Sequence, residues 1–100
     1  MSSLKSEIDT SAKHITIIAE GLFGFSLTQD LRRCYVDKKD YRFTLDFEKV
    51  TYIDSAGLGM LLNMLNYLEQ DDGMVHIIKT LPEVRQILSM YRFDLKFTIE

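Results

Sequence analysis

The chain has 100 residues, 46% of them apolar and 27% charged, which is the composition of a single globular domain over 1–100 and excludes a disordered chain. Twelve basic against fifteen acidic residues give a net charge of −3, which argues against a nucleic-acid partner, and the single cysteine excludes an internal disulfide and an all-cysteine metal cluster. No apolar run reaches the roughly 18 residues of a membrane helix, and Met1 to Glu7 hold no apolar signal core, so the expectation is a cytoplasmic protein with no membrane partner. Residues 4–10 read as a weak strand around Leu4 and Ile8, and His14 to Glu20 as a stronger, β-branched one. The polar stretch Asp9 to Lys13 joins them as a hairpin turn. Gly21 to Phe25 reads as a loop. Ser26 with Gln29 has capping-box spacing and opens a helix whose buried face is Leu27, Leu31, Cys34 and Tyr35.

Tyr41 to Phe47 alternates with Phe43, Leu45 and Phe47 on one side, which predicts a strand, and Val50 and Ile53 continue apolar beyond a short Glu48-Lys49 break. Asp54-Ser55-Ala56-Gly57 turns into the longest helix, about Ser55 to Gln70, stopped by Asp71-Asp72-Gly73. Met74 to Lys79 is a short, largely apolar strand. Thr80 with Glu83 makes a second capping box, and Pro82 opens a helix to Tyr91 with Val84, Ile87, Leu88 and Tyr91 facing inward. Leu95, Phe97 and Ile99 alternate in a last strand. The order ββαβαβαβ predicts an α/β fold with a mostly parallel mixed sheet of four to five strands and right-handed crossovers.

The segment from Phe43 to Leu62 carries the most information. Ser55 stands at the mouth of a helix, where unpaired N–H groups and the positive end of the dipole tolerate an anion. Ala56, Gly57 and Gly59 keep the first turn open. A phosphate on this hydroxyl would add roughly −1.5 to −2 charges, and its effect would fall on a docked partner more than on the fold. The plainer alternative makes Ser55 only an N-cap. Asp54 either caps the same helix or helps position a hydroxyl or metal–nucleotide in a partner's active site. Along the helix, Leu58, Leu61, Leu62, Leu65 and Leu68 make one broad face, and Met60, Met64 and Tyr67 a second stripe. That stripe is either an adaptable binding surface or the seat of a neighbouring helix. Phe23 and Phe25, flanking Gly24, are either exposed contacts or core.

The other chemistry-bearing residues read as ordinary. His14 and His76 have no metal-ligand spacing, and Cys34 reads as a small buried hydrophobe. Arg32, Arg33, Lys38, Lys39 and Arg42 are balanced by nearby aspartates into a solvated face. A serine hydrolase built on Ser55 would need His14 or His76 as its base, and nothing in the sequence links either to it. No enzyme, cofactor or metal is expected.

The run Leu45-Asp46-Phe47, Val50, Ile53-Asp54-Ser55-Ala56-Gly57-Leu58 and Leu61-Leu62 resembles the signature of the STAS family, the sulfate transporter and anti-sigma factor antagonist domains. The likeness runs over almost the whole chain. It implies a small sheet with helices largely on one face, and a stand-alone bacterial anti-sigma factor antagonist (an anti-anti-sigma factor) acting in transcription regulation by partner switching. It implies that Ser55 is the phosphorylation site and that Asp54 assists the transfer. The implied partners are an anti-sigma factor or a response regulator with a serine kinase domain, and a PP2C-type serine phosphatase. Taken together, Asp54, Ser55, Ala56, Gly57, Met60, Met64, Tyr67, Phe23 and Phe25 are the candidate partner-binding residues of a monomeric adaptor. The unphosphorylated form would sequester the regulator, and phosphorylation would release it. The alternative within the family is a non-phosphorylated accessory or scaffold module of a transporter or signalling complex. One departure is Gly24, which stands about where many antagonists carry an acidic residue.

Overall fold

The computed structural model describes residues 2–100. Eight regular elements follow one another as β1 (Ser3–Asp9), β2 (His14–Phe23), α1 (Thr28–Tyr35), β3 (Arg42–Ile53), α2 (Ser55–Leu68), β4 (His76–Ile78), α3 (Pro82–Met90) and β5 (Thr98–Ile99). The five strands form one sheet in the order β1-β2-β3-β4-β5. β1 runs antiparallel to β2 and every other pair is parallel, which is the expected mixed sheet. Ile15, Ile17 and Ala19 of β2, Phe43, Leu45 and Phe47 of β3, and Ile77 of β4 are buried on one face under the helices. On the opposite face Thr16, Ile18, Thr44, Asp46, His76 and Ile78 remain half-exposed. β1 is an outer strand whose residues are exposed apart from Leu4.

The β1–β2 hairpin closes through Asp9, whose Oδ1 accepts from the Ser11 hydroxyl (2.8 Å) and the Ala12 N–H (3.0 Å). The Ala12 N–H, then the Ser11 hydroxyl, holds the Asp9 carboxyl below the usual aspartate range.

β3 is longer than its alternation predicts. It does not break at Glu48-Lys49 but continues to Ile53, and β2 likewise continues through Gly21 to Phe23 in place of the expected loop. The reason lies in the pairing. Ile18 faces Asp46 and Glu20 faces Lys49, and then Gly21 faces Val50 and Leu22 faces Tyr52. β3 therefore carries two bulges, each adding one residue. The buried positions of its second half are Phe47, Val50 and Ile53, a spacing of three where a flat strand would show two. The Asp46 side chain accepts the Glu48 N–H (3.1 Å) at the first bulge.

Neither capping box forms. A 3-10 turn over Phe25–Leu27 precedes α1, and the Leu27 cap position has no side-chain bond. Thr28, not Ser26, bonds this turn, through its hydroxyl to the Phe25 carbonyl (2.7 Å). Leu81 precedes α3 without a side-chain cap, because the Thr80 hydroxyl donates to the Glu100 carbonyl (3.1 Å) instead. α2 stops at Leu68, two residues early, where Glu69 takes the left-handed conformation (φ 54°).

The chain end also departs from its alternation. Phe93–Leu95 is a 3-10 turn and only Thr98–Ile99 pair as a strand. Phe93 and Phe97 stack in the core with centroids 5.7 Å apart, while Leu95 and Tyr91 are exposed. Tyr91 lies one residue beyond α3, just before Arg92 turns left-handed, so it leaves the inward stripe.

The Met60–Met64–Tyr67 stripe is not a free surface. Met60 and Met64 are buried and Tyr67 is half-buried, its ring 5.4 Å from that of Tyr35 in α1. The Tyr67 hydroxyl accepts the Asp37 N–H (2.8 Å) just after α1. The stripe is the seat of α1, the second of the two readings. Tyr67→Phe removes that bond and the longer one the hydroxyl donates to Asp37 Oδ1 (3.5 Å), both at an exposed loop, so unfolding in urea should show a loss of about 0.5–1 kcal/mol with an unchanged slope.

Candidate functional site

Open α/β sheets present ligands beyond the carboxyl ends of their parallel strands, and here that end is built by β2, β3 and the start of α2. β3 finishes at Ile53, Asp54 is extended (φ −98°, ψ −178°), and α2 begins at Ser55. Asp54 Oδ1 accepts the Gly57 N–H at 2.9 Å, which satisfies one of the free donors of the first turn and contributes about 1 kcal/mol. Asp54, not Ser55, is therefore the N-cap. The Ser55 side chain is left exposed at the amide-rich helix mouth, free of the capping role that the plainer reading gave it.

The turn is fastened to the end of β2. The Asp54 N–H donates to the Phe23 carbonyl (3.4 Å). The first turn of α2 lies so close that a Cβ on Gly57 would sit 2.1 Å from the Phe23 carbonyl oxygen. Ala56 is half-exposed and Gly57 is buried, so Gly57 serves the turn by what it lacks. The two phenylalanines divide. Phe23 is buried with its ring 5.0 Å from that of Phe47, whereas Phe25 is 80% exposed.

Beside Ser55 runs an open groove of about 700 Å³ between α2 and α3, walled by Tyr52, Leu58, Ile87, Met90 and Tyr91, with Glu83 on its rim. Tyr52, Met90 and Tyr91 are 53%, 68% and 60% exposed. None of the three belongs to the predicted site. The signal was present for two of them: Met90 falls off the Val84–Ile87–Leu88 stripe, and Tyr52 falls between the apolar positions of β3. Large apolar residues off the packing pattern are candidates for contacts with another molecule. No lysine or arginine lines the groove.

Neither histidine can serve Ser55 as a base. The His14 imidazole bonds the Thr44 hydroxyl (Nε2 to Oγ1, 2.8 Å) and His76 Nδ1 lies 3.3 Å from a Glu100 carboxylate oxygen. Thr44 and Ile53 are nine positions apart in β3, roughly 25–30 Å of strand, so both histidines stand at the far end of the sheet from Ser55. Cys34 is half-buried, its thiol 3.3 Å from the Asp30 carbonyl, and burial pushes its pKa up, away from a reactive thiolate. No cluster of three His, Cys, Asp or Glu side chains among the described residues is arranged to hold a metal. No polar or charged side chain is buried among the described residues. No helix among them is long and apolar enough to cross a membrane.

Residues 25–100 match the family model of the STAS domain. The chain belongs to the STAS family. It is 34% identical over 89 residues to a STAS-domain containing protein of Pseudomonas aeruginosa, covering 87% of this chain and 88% of the relative. Its fold is shared with SpoIIAA, an anti-sigma factor antagonist solved in its unphosphorylated form, at a TM-score of 0.79 and 18% identity over 98% of this chain and 88% of the other. The phosphorylated form of SpoIIAA, a Bacillus cell fate determinant, superposes at 0.72 with 17% identity over 98% and 91% of the two chains. The STAS-like α/β sheet and the order of its elements are thus those that the sequence motif implied.

Proposed function

We propose that this STAS protein is a bacterial anti-sigma factor antagonist, a non-enzymatic adaptor whose partner affinity is set by phosphorylation of Ser55. The observation that carries this reading is the exposed Ser55 hydroxyl at the helix mouth, relieved of capping by Asp54 and bordered by an open apolar groove. The fold shared with SpoIIAA, solved with and without its phosphate, supports it. In this reading residues 1–100 act as one cytoplasmic, monomeric domain. The unphosphorylated protein covers Asp54, Ser55, Ala56, Phe25 and the α2–α3 groove with a regulator, either an anti-sigma factor or a response regulator with a serine kinase domain. Asp54 stands beside the acceptor hydroxyl and assists its transfer chemistry. A PP2C-type phosphatase removes the mark. Phe23, Gly57, Met60, Met64 and Tyr67 support this surface from within, since the first four are buried and Tyr67 bonds the chain after α1.

Mass spectrometry of the protein from its own cells tests the assignment. Phosphate is expected on Ser55, absent when the cognate kinase gene is deleted and elevated when the phosphatase gene is deleted. Phosphate found only at other residues, or none in any of the three strains, overturns it. Ser55→Ala should co-purify with the regulator constitutively.

A further inference from the structure

We infer that Gly24 is a positioning residue of the Ser55 turn, required because only a residue without a Cβ leaves room for the Asp54 carboxylate. The backbone of Gly24 is extended (φ −156°, ψ −161°), a conformation open to any residue, so its dihedral angles do not demand glycine. Its neighbour does. A Cβ on the buried Gly24 would lie 2.7 Å from Asp54 Oδ2 and 3.0 Å from both Oδ1 and Cγ. A carboxylate on a free side chain would swing aside at little cost. This one is held, because its Oδ1 accepts the Gly57 N–H. Moving it gives up the cap. The opposite side is closed as well: the Phe23 carbonyl accepts the Asp54 N–H and blocks the space above Gly57. Residues 23–24 and 54–57 thus interlock, and Ser55 sits on a turn that the end of β2 holds in place. The functional weight of this inference rests on Ser55 being the phosphoacceptor. The interlock itself does not.

The test reads the cap directly. Amide hydrogen exchange at Gly57 is followed by NMR in the full chain, in Gly24→Ala, in Asp54→Ser and in the double variant. Serine is a shorter capping residue and clears the space that alanine at 24 would need. Gly24→Ala is expected to speed Gly57 exchange by about fivefold or more, the worth of an N-cap. The double variant should exchange within about twofold of Asp54→Ser alone, the mark of coupled neighbours. An unchanged rate in Gly24→Ala, or an equal acceleration in both backgrounds, overturns the inference. Should Gly24→Ala not fold, folding of the double variant supports the inference and its failure overturns it. Loss of the phosphoacceptor assignment would leave this coupling in place, and loss of the coupling would leave Ser55 phosphate unaffected, so the two failures are distinguishable.

Discussion

Gly57→Ala is expected to destabilise the protein by about 1–3 kcal/mol, against the usual trend for glycine in a helix. Alanine at an ordinary helical position is favoured over glycine by about 1 kcal/mol. At Gly57 the new methyl would meet the Phe23 carbonyl oxygen at 2.1 Å and Ile53 Cγ1 at 2.8 Å. The first obstacle is backbone of a paired strand, which cannot step aside without disturbing the β2–β3 ladder, and Ile53 is itself fully packed. Overpacking costs about 1–3 kcal/mol and occasionally more; against an immovable carbonyl oxygen at 2.1 Å it falls at the costly end and outweighs the propensity gain of about 1 kcal/mol. Gly59 is the internal control. It lies in the same helix with nothing within 4 Å of a Cβ, so Gly59→Ala should stabilise by up to about 1 kcal/mol. In a chain of this size about 1 kcal/mol moves the midpoint by roughly 4–8 °C. Thermal and urea melts of the two variants should therefore move in opposite directions, Gly57→Ala down by roughly 5–20 °C and Gly59→Ala up by a few. Equal behaviour of the two would contradict the close approach of α2 to the end of β2.

Phosphorylation of Ser55 should weaken binding of the regulator by at least about a hundredfold while leaving the fold intact. The two effects separate because the charge meets two environments. Within the chain, the phosphate sits at the free N–H groups and positive dipole of α2, where an anion is tolerated, so its melting point should stay within a few degrees of the unmodified protein. Toward a partner, roughly two negative charges enter a surface walled by Tyr52, Met90 and Tyr91 and already carrying Asp54 and Glu83, with no cation of this chain lining the groove. Covering that surface requires stripping water from the phosphate without a compensating partner, a cost of several kcal/mol, and about 2.7 kcal/mol suffices for a hundredfold. Calorimetric titration of the regulator with unmodified, phosphorylated, Ser55→Ala and Ser55→Asp protein reads this out. Ser55→Ala should bind as the unmodified protein does, and Ser55→Asp, with one charge and a shorter reach, should fall between the extremes. Identical affinity for all four would remove electrostatics from the switch.

Much of this was legible in the residues. Tyr41 to Phe47 was placed because burial on one face writes a period of two, and His14 to Glu20 because its β-branched residues suit a strand. The second half of β3 was not, because two bulges change that period to three, and a pattern read residue by residue cannot distinguish a bulge from a break. The capping boxes at Ser26 and Thr80 failed for a tertiary reason. Thr80 is engaged by the distant Glu100, and a 3-10 turn absorbs the start of α1. The turn at Asp54 was readable because its cap is local, three residues apart. The groove was missed because α3 is far in sequence from the β3–α2 turn, and only packing brings Met90 and Tyr91 beside Tyr52 and Ser55.

The outermost strand has a bearing on how the molecule behaves when crowded. β1 exposes nearly all its residues and carries Lys5, Glu7 and Asp9 along seven positions. An edge studded with ionised groups resists the lateral addition of a strand from another copy, because stacking would bring charges together or strip their water. The sheet can therefore keep one long rim open to solvent without growing into ribbons at high concentration.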